Sequence, residues 1–203
     1  SFSDGGRFLG KEDALRQAEV MVREGADIID IGGESTRPGA KVVGLQEELD
    51  RVIPVIEAVR AELPAMISVD TQKPEVMEAA VLAGAGLVND VYALRAEGAL
   101  SLLARLDVPV CVMHMQGVPE SMQENPHYNQ VVEEVIQFLK RRVDACLAAG
   151  IRRKHIILDP GFGFGKTVDQ NFELFAQLHR LVDLGFPLLV GVSRKSMIGA
   201  IIN

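Results

Sequence analysis

Six places along the chain carry residues whose types could do chemistry: Asp30, Asp70, the pair Asn89 and Asp90, His114, Asp159, and the run Ser193-Arg194-Lys195. Each follows a short stretch of branched apolar residues. A carboxylate accepts two neighbouring N–H groups at once, and an amide offers both a donor and an acceptor, so this set suits the polar edge of a heterocycle. Lys195 directly follows an apolar run, where an amine either donates hydrogen bonds to a ligand or is activated by loss of water. Gly32-Gly33-Glu34-Ser35-Thr36-Arg37-Pro38-Gly39 adds backbone amides, hydroxyls and one guanidinium that could wrap a phosphate or diphosphate. Asp159-Pro160-Gly161-Phe162-Gly163-Phe164-Gly165-Lys166 sets two rings between glycines, a mobile wall against a planar ligand. The following Thr167 completes the end of a nucleotide-phosphate loop, but position 160 is Pro where that pattern requires Gly, which excludes triphosphate hydrolysis. His114 has no second His or Cys at ligand spacing and reads as a hydrogen bonder; Met113 and Met115 flanking it read as packing residues.

These positions need a scaffold that brings strand ends to one place. Helical spacing predicts helices over 11–24, 45–63, 74–83, 96–106, 129–149 and 168–184, and each leads, three times through a glycine, into a short apolar strand. The strands are predicted over 27–31, 66–69, 87–91, 108–113, 155–158 and 187–192. Nearly continuous apolar strands separated by helices make a parallel sheet covered by helices. In a doubly wound sheet only the strands at the switch point end in functional groups, whereas a (β/α)8 barrel gathers polar strand ends at one mouth. The reading is therefore α/β, a TIM barrel, here a partial one with about six of eight strands, in a single domain over 1–203. One strand is expected to be missing at each end, because the chain opens in a loop and stops in a helical pattern.

Composition narrows the partners. Lys plus Arg number 21 against 28 Asp plus Glu, a net charge of −7, which gives no electrostatic support for nucleic acid or an anionic membrane. No apolar run approaches the length of a membrane span. Two Cys in 203 residues and no secretory signal point to the cytoplasm.

The motifs together resemble dihydropteroate synthase of folate biosynthesis, closest to the bacterial enzymes. The resemblance rests on Ser-Phe-Ser-Asp-Gly-Gly at 1–6, the Asp30 to Gly39 block, Ser68-Val-Asp-Thr71, Asn89-Asp90, Met113-His-Met115, the Asp159 to Lys166 block and Ser193-Arg-Lys-Ser196. It implies a (β/α)8 barrel that joins 4-aminobenzoate to 6-hydroxymethyl-7,8-dihydropterin diphosphate, releasing diphosphate with the help of Mg²⁺. It further implies Asp70 and Lys195 as catalytic residues, with a pterin site of Asp70, Asn89, Asp159, Lys195, Met113 and Gly191. Thr36 and Arg37 would grip diphosphate, and Phe2, Pro38, Phe164 and Ser196 would shape the aminobenzoate pocket. The family's Asn ligand for the metal would lie upstream of Ser1, so no metal ligand is assigned within the chain. A homodimer, a sulfonamide target and small-molecule partners follow from the same resemblance.

Three rivals remain: a pterin-dependent methyltransferase, against which Phe2 and Ser35-Thr36-Arg37-Pro38-Gly39 argue; a Schiff-base aldolase using Lys195; and a noncatalytic pterin-binding module. The missing strands leave two open sheet edges. The 203-residue piece expressed alone is accordingly expected to fold poorly and turn over little, which a cooperative melt with near-normal activity would overturn.

Overall fold

The computed structural model describes residues 10–37, 39–119, 121–195 and 197–199. Five short strands pair side by side, all parallel, in chain order: β1 (Ile28–Gly32), β2 (Met66–Asp70), β3 (Leu87–Asp90), β4 (Val110–Met113) and β5 (Ile156–Asp159). Parallel neighbours need a crossover. Here α2 (Leu45–Glu62), α3 (Pro74–Ala83), α4 (Ala99–Leu106) and α5 (Val131–Ala148) supply it, with α1 (Lys11–Arg23) ahead of β1. This is the arrangement of a partial β/α barrel.

Alternation along each strand decides what faces what. Ile29, Ile67, Val69, Val88, Val110, Val112, Ile156 and Leu158 point to the helices and join one buried core with Val52, Ile56 and Val59 of α2 and Leu139 and Val143 of α5. The other parity carries Asp30, Ser68, Asp70, Asn89, Cys111, Met113 and Asp159, which the registers Asp30↔Ser68, Asp70↔Asn89, Asn89↔Cys111 and Met113↔Asp159 place on a single face. That face is the barrel lumen. α5 holds its side of the core with Val132, Val135, Ile136, Leu139, Val143 and Cys146, an apolar stripe at three- and four-residue spacing.

Two expectations change in detail. The strand predicted over 187–192 shrinks to one parallel bridge, Leu158 with Leu188. Two 2.9 Å bonds back it, from Leu158 N–H to Pro187 O and from Leu189 N–H to Leu158 O. Pro187 has no N–H to add and Gly191 no side chain to pack, so the ladder stops there. The helix predicted over 168–184 divides into α6 (Val168–Ala176) and α7 (His179–Val182); α6 begins on a capping box between Thr167 and Gln170.

The two parities differ in what they stabilise. Leu158→Ala, on the fully buried helix side, is expected to cost ~2–5 kcal/mol by cavity formation. Met66→Ala, on the lumen side and 49% exposed, should cost less than about 1 kcal/mol, since little apolar surface is lost. Denaturant melts of both variants check this.

Candidate active site

The lumen row is polar because it ends strands that are otherwise apolar. Gly32, Asp70, Asn89 and Cys111 stand in one register across four strands, and Met113 and Asp159 form the next step toward the mouth. Asp30 lies one step below and accepts a hydrogen bond from Asn89 Nδ2 at 3.4 Å. Asp70 is buried, and its carboxyl is held well above the usual range, first by burial and then by the charge of Asp30 beside it. Asp159 is also raised by burial, but a Gly161 N–H at 2.7 Å and the charges of Lys195 and Lys166 pull it back down. The lumen therefore carries crowded carboxyl groups on the β1–β2 side, and a carboxyl facing ammonium groups on the β5 side.

The loop after β1 is fastened from beneath by buried charge. Glu48 of α2 is fully buried, and its carboxylate takes the Thr71 hydroxyl at 2.6 Å and the Lys73 ammonium. Lys73 also pairs with Glu34 in the loop, whose other oxygen accepts Val43 N–H at 3.1 Å. Burial works against the Lys73 charge, yet the two carboxylates outweigh it and hold the ammonium above its ordinary pKa. Gly33 packs so closely on α2 that a Cβ would stand 2.8 Å from Val52 and 2.9 Å from Glu48. On this base a shallow cleft, open to solvent, is lined by Thr36, Arg37, Asp70, Thr71, Gln72 and Val91. Thr36 Oγ1 is buried with no hydrogen-bond partner among the described residues, so the cleft presents an unused hydroxyl beside a guanidinium.

The loop after β5 is held rather than loose. All seven carbonyls from Gly161 to Thr167 accept a side-chain donor. Lys166 takes Gly161 and Phe164, Lys195 takes Phe162, Gln123 takes Gly163, Tyr128 takes Gly165, and Asn171 takes the last two. Gly161 has φ +68°, and a Cβ there would overlap the His114 carbonyl, so only glycine fits. Of the two rings expected to form a wall, Phe162 is a core residue set edge-on to Phe175, centroids 5.9 Å apart. Phe164 faces the mouth in a second cluster with Val91, Met113, Met115 and Met122. Its ring centroid is 5.0 Å from Lys195 Nζ. Burial lowers the Lys195 pKa against the opposing pull of Asp159. Gly191 lies against that ammonium, where a Cβ would be 3.4 Å away.

Asp70, Asn89, Met113, Asp159, Phe164, Gly191 and Lys195 thus come together around the lumen, with Thr36 and Arg37 on its rim. Phe2, Pro38 and Ser196 lie outside the described residues. Asp90, read with Asn89 as a polar pair, points the other way. It is fully buried on the helix side, where it accepts Tyr92 and Leu94 N–H groups at 2.7 Å, and burial raises its pKa to about 6. Ala93 and Leu94 there adopt positive φ, and their carbonyls are taken by Arg142 of α5. The motifs also passed over Glu48 and Lys73. The signal for Glu48 was a charge on an otherwise apolar stripe of α2, with Val52, Ile56 and Val59. His114, buried, meets Lys166 through Nδ1 at 3.0 Å, a hydrogen bonder as its surroundings implied.

The family model for pterin binding enzymes matches residues 1–203. The dihydropteroate synthase of Haemophilus influenzae is 52% identical over 203 residues, which are all of this chain and 74% of that protein. The Yersinia pestis dihydropteroate synthase, solved with a sulfonamide drug complex, superposes with a TM-score of 0.96 at 48% identity, covering 100% of this chain and 74% of that one. The Xanthomonas albilineans dihydropteroate synthase, solved with 4-aminobenzoic acid, gives 0.91 at 53% identity, covering 99% and 71%. The chain spans about three quarters of the length of these relatives.

Removing the cation between the buried Glu48 and the partly buried Glu34 leaves two neighbouring carboxylates without their counter-charge. Lys73→Met is expected to destabilise the chain by ~3–5 kcal/mol, and the combined Lys73→Met and Glu48→Gln change should recover part of that loss. Thermal melts of the single and double variants check it.

Proposed function

The chain belongs to the pterin binding enzymes, and from that premise we propose that it catalyses dihydropteroate synthesis. 6-Hydroxymethyl-7,8-dihydropterin diphosphate and 4-aminobenzoate combine to give 7,8-dihydropteroate and diphosphate. The observation that carries the reading is the lumen row itself. Asp70, Asn89 and Asp159 share one face with Lys195 at its far side, and Thr36 and Arg37 sit at the rim. Relatives about half identical over the whole chain bear the name of this enzyme.

A pterin presents a ring N–H and an amino group side by side, which the Asp159 carboxylate accepts together, while Asn89 offers a donor and an acceptor to the next atoms. Lys195 donates to the opposite polar edge, with Met113 and Gly191 beside it. Phe164, together with Phe2, Pro38 and Ser196, walls the aminobenzoate. Thr36 and Arg37 hold the diphosphate. The C–O bond to diphosphate breaks ahead of attack, the arylamine nitrogen forms the new C–N bond, and its proton leaves to solvent. Burial and Asp30 make the charge on Asp70 costly, and positive charge developing on the pterin methylene offsets that cost. Positioning and electrostatics supply the acceleration, and the enzyme forms no covalent bond to substrate.

Mg²⁺ belongs to the proposal through the resemblance alone; a divalent cation eases departure of diphosphate. Among the described residues no group of three His, Cys, Asp or Glu gathers to hold a metal ion. The homodimer, the cytoplasmic setting and sensitivity to sulfonamides are parts of the same proposal. No helix among the described residues is long and apolar enough to cross a membrane.

Diphosphate release from the pterin diphosphate, with and without 4-aminobenzoate and Mg²⁺, tests the reading in this chain and in a version extended at both ends to the length of its relatives. Release is expected to depend on both additions, and Asp159→Asn or Lys195→Gln should lower it ~100-fold or more. Pterin binding without release in either form, or a kinetically competent covalent adduct, would overturn it.

A further inference from the structure

Lys166 lies outside every role assigned so far, yet it is 3% exposed at the centre of the loop after β5. Its ammonium meets three acceptors, Gly161 O at 2.7 Å, His114 Nδ1 at 3.0 Å and Phe164 O at 3.1 Å. Three N–H donors and three acceptors leave nothing unsatisfied, which is what a buried amine requires. His114 can serve as an acceptor because it stays neutral. Burial, and then the Lys166 charge itself, push its pKa down to about 2.

The two carbonyls are not arbitrary. Phe164 N–H donates to Gly161 O at 3.1 Å, so both belong to one turn with the Lys166 ammonium seated in it. From that turn Gly161 N–H reaches Asp159 Oδ1 at 2.7 Å, and the Phe164 ring joins Met113 at the mouth. His114 closes the figure, since its backbone N–H donates to Asp159 O at 2.9 Å. A single cation thereby ties together the turn that carries both the carboxylate and the aromatic wall on the β5 side of the lumen.

We propose that Lys166 is a positioning residue for both substrates, setting the Asp159 carboxylate toward the pterin and the Phe164 ring toward the aminobenzoate without touching either. The inference rests on the reaction proposed above. Lys166 acts on the shape of the site before chemistry, so its loss weakens binding more than turnover.

Lys166→Met keeps the length of the stem and removes all three donors. Steady-state diphosphate release, in whichever form of the chain turns over, is expected to show KM for both substrates raised about tenfold or more, the scale of a lost charged hydrogen bond. The kcat should fall less than about threefold. A wild-type protein that releases no diphosphate sinks the reaction. An active wild type whose Lys166→Met variant keeps both KM values within twofold, or loses kcat with KM unchanged, sinks this inference alone. Should Lys166→Met fail to melt cooperatively, His114→Phe decides. It removes one acceptor and keeps a ring beside Phe138 and Tyr128, so both KM values should rise by a smaller factor, and unchanged values overturn the proposal.

Discussion

Two-residue alternation along five parallel strands is the constraint on which every other feature depends. A strand buried on both faces has no solvent side, so each polar residue it carries must find a partner or face a cavity. Asp70, Asn89 and Asp159 fall on the lumen parity while Val69, Val88 and Leu158 fall on the helix parity. A shift of one residue in β1, β2 or β5 would carry Asp30, Asp70 or Asp159 into the apolar core.

Buried charge then does at the loops what alternation does in the sheet. One cluster, Glu34, Lys73 and Glu48, fastens the loop after β1 to α2 and α3. The other, Lys166 with Asp159 and Lys195 near it, fastens the loop after β5. The first carries two carboxylates on one cation and the second two cations about one carboxylate. Burial pulls the Lys166 ammonium down to about 7, and Asp159 opposes that pull. The polarity across the lumen follows from which elements these groups stand on.

Much of this was legible in the residues. Apolar runs ending in Asp, Asn or Lys marked the strand ends, and Asp70, Asn89 and Asp159 stand at the ends of β2, β3 and β5, while Lys195 follows a run that forms only one bridge. What escaped was whatever depends on partners distant in sequence. Asp90 follows Asn89 directly, so alternation sets the two on opposite faces, and only the register shows which of them faces the lumen. Glu48 and Lys73 are 25 residues apart and meet only once α2 and α3 pack. The sequence offered Lys166 as the tail of a false phosphate loop, with nothing nearby to indicate that its acceptors include His114. The short bridge at Leu188 shows the same limit, because an apolar run does not reveal how many ladder bonds Pro187 and Gly191 will permit.

The engaged carbonyls from Gly161 to Thr167 have one more consequence, for selectivity. A loop with uncommitted carbonyls offers acceptors to any ligand that brings donors, and so tolerates chemically varied guests. Here each of those carbonyls already accepts a side-chain donor. On this side of the lumen a ligand meets the Phe164 ring, the Asp159 carboxylate and the Lys195 ammonium rather than an adaptable peptide surface. Discrimination there leans on ring shape and charge, and an analogue whose extra donors point at the loop gains less from carbonyls that already have a partner.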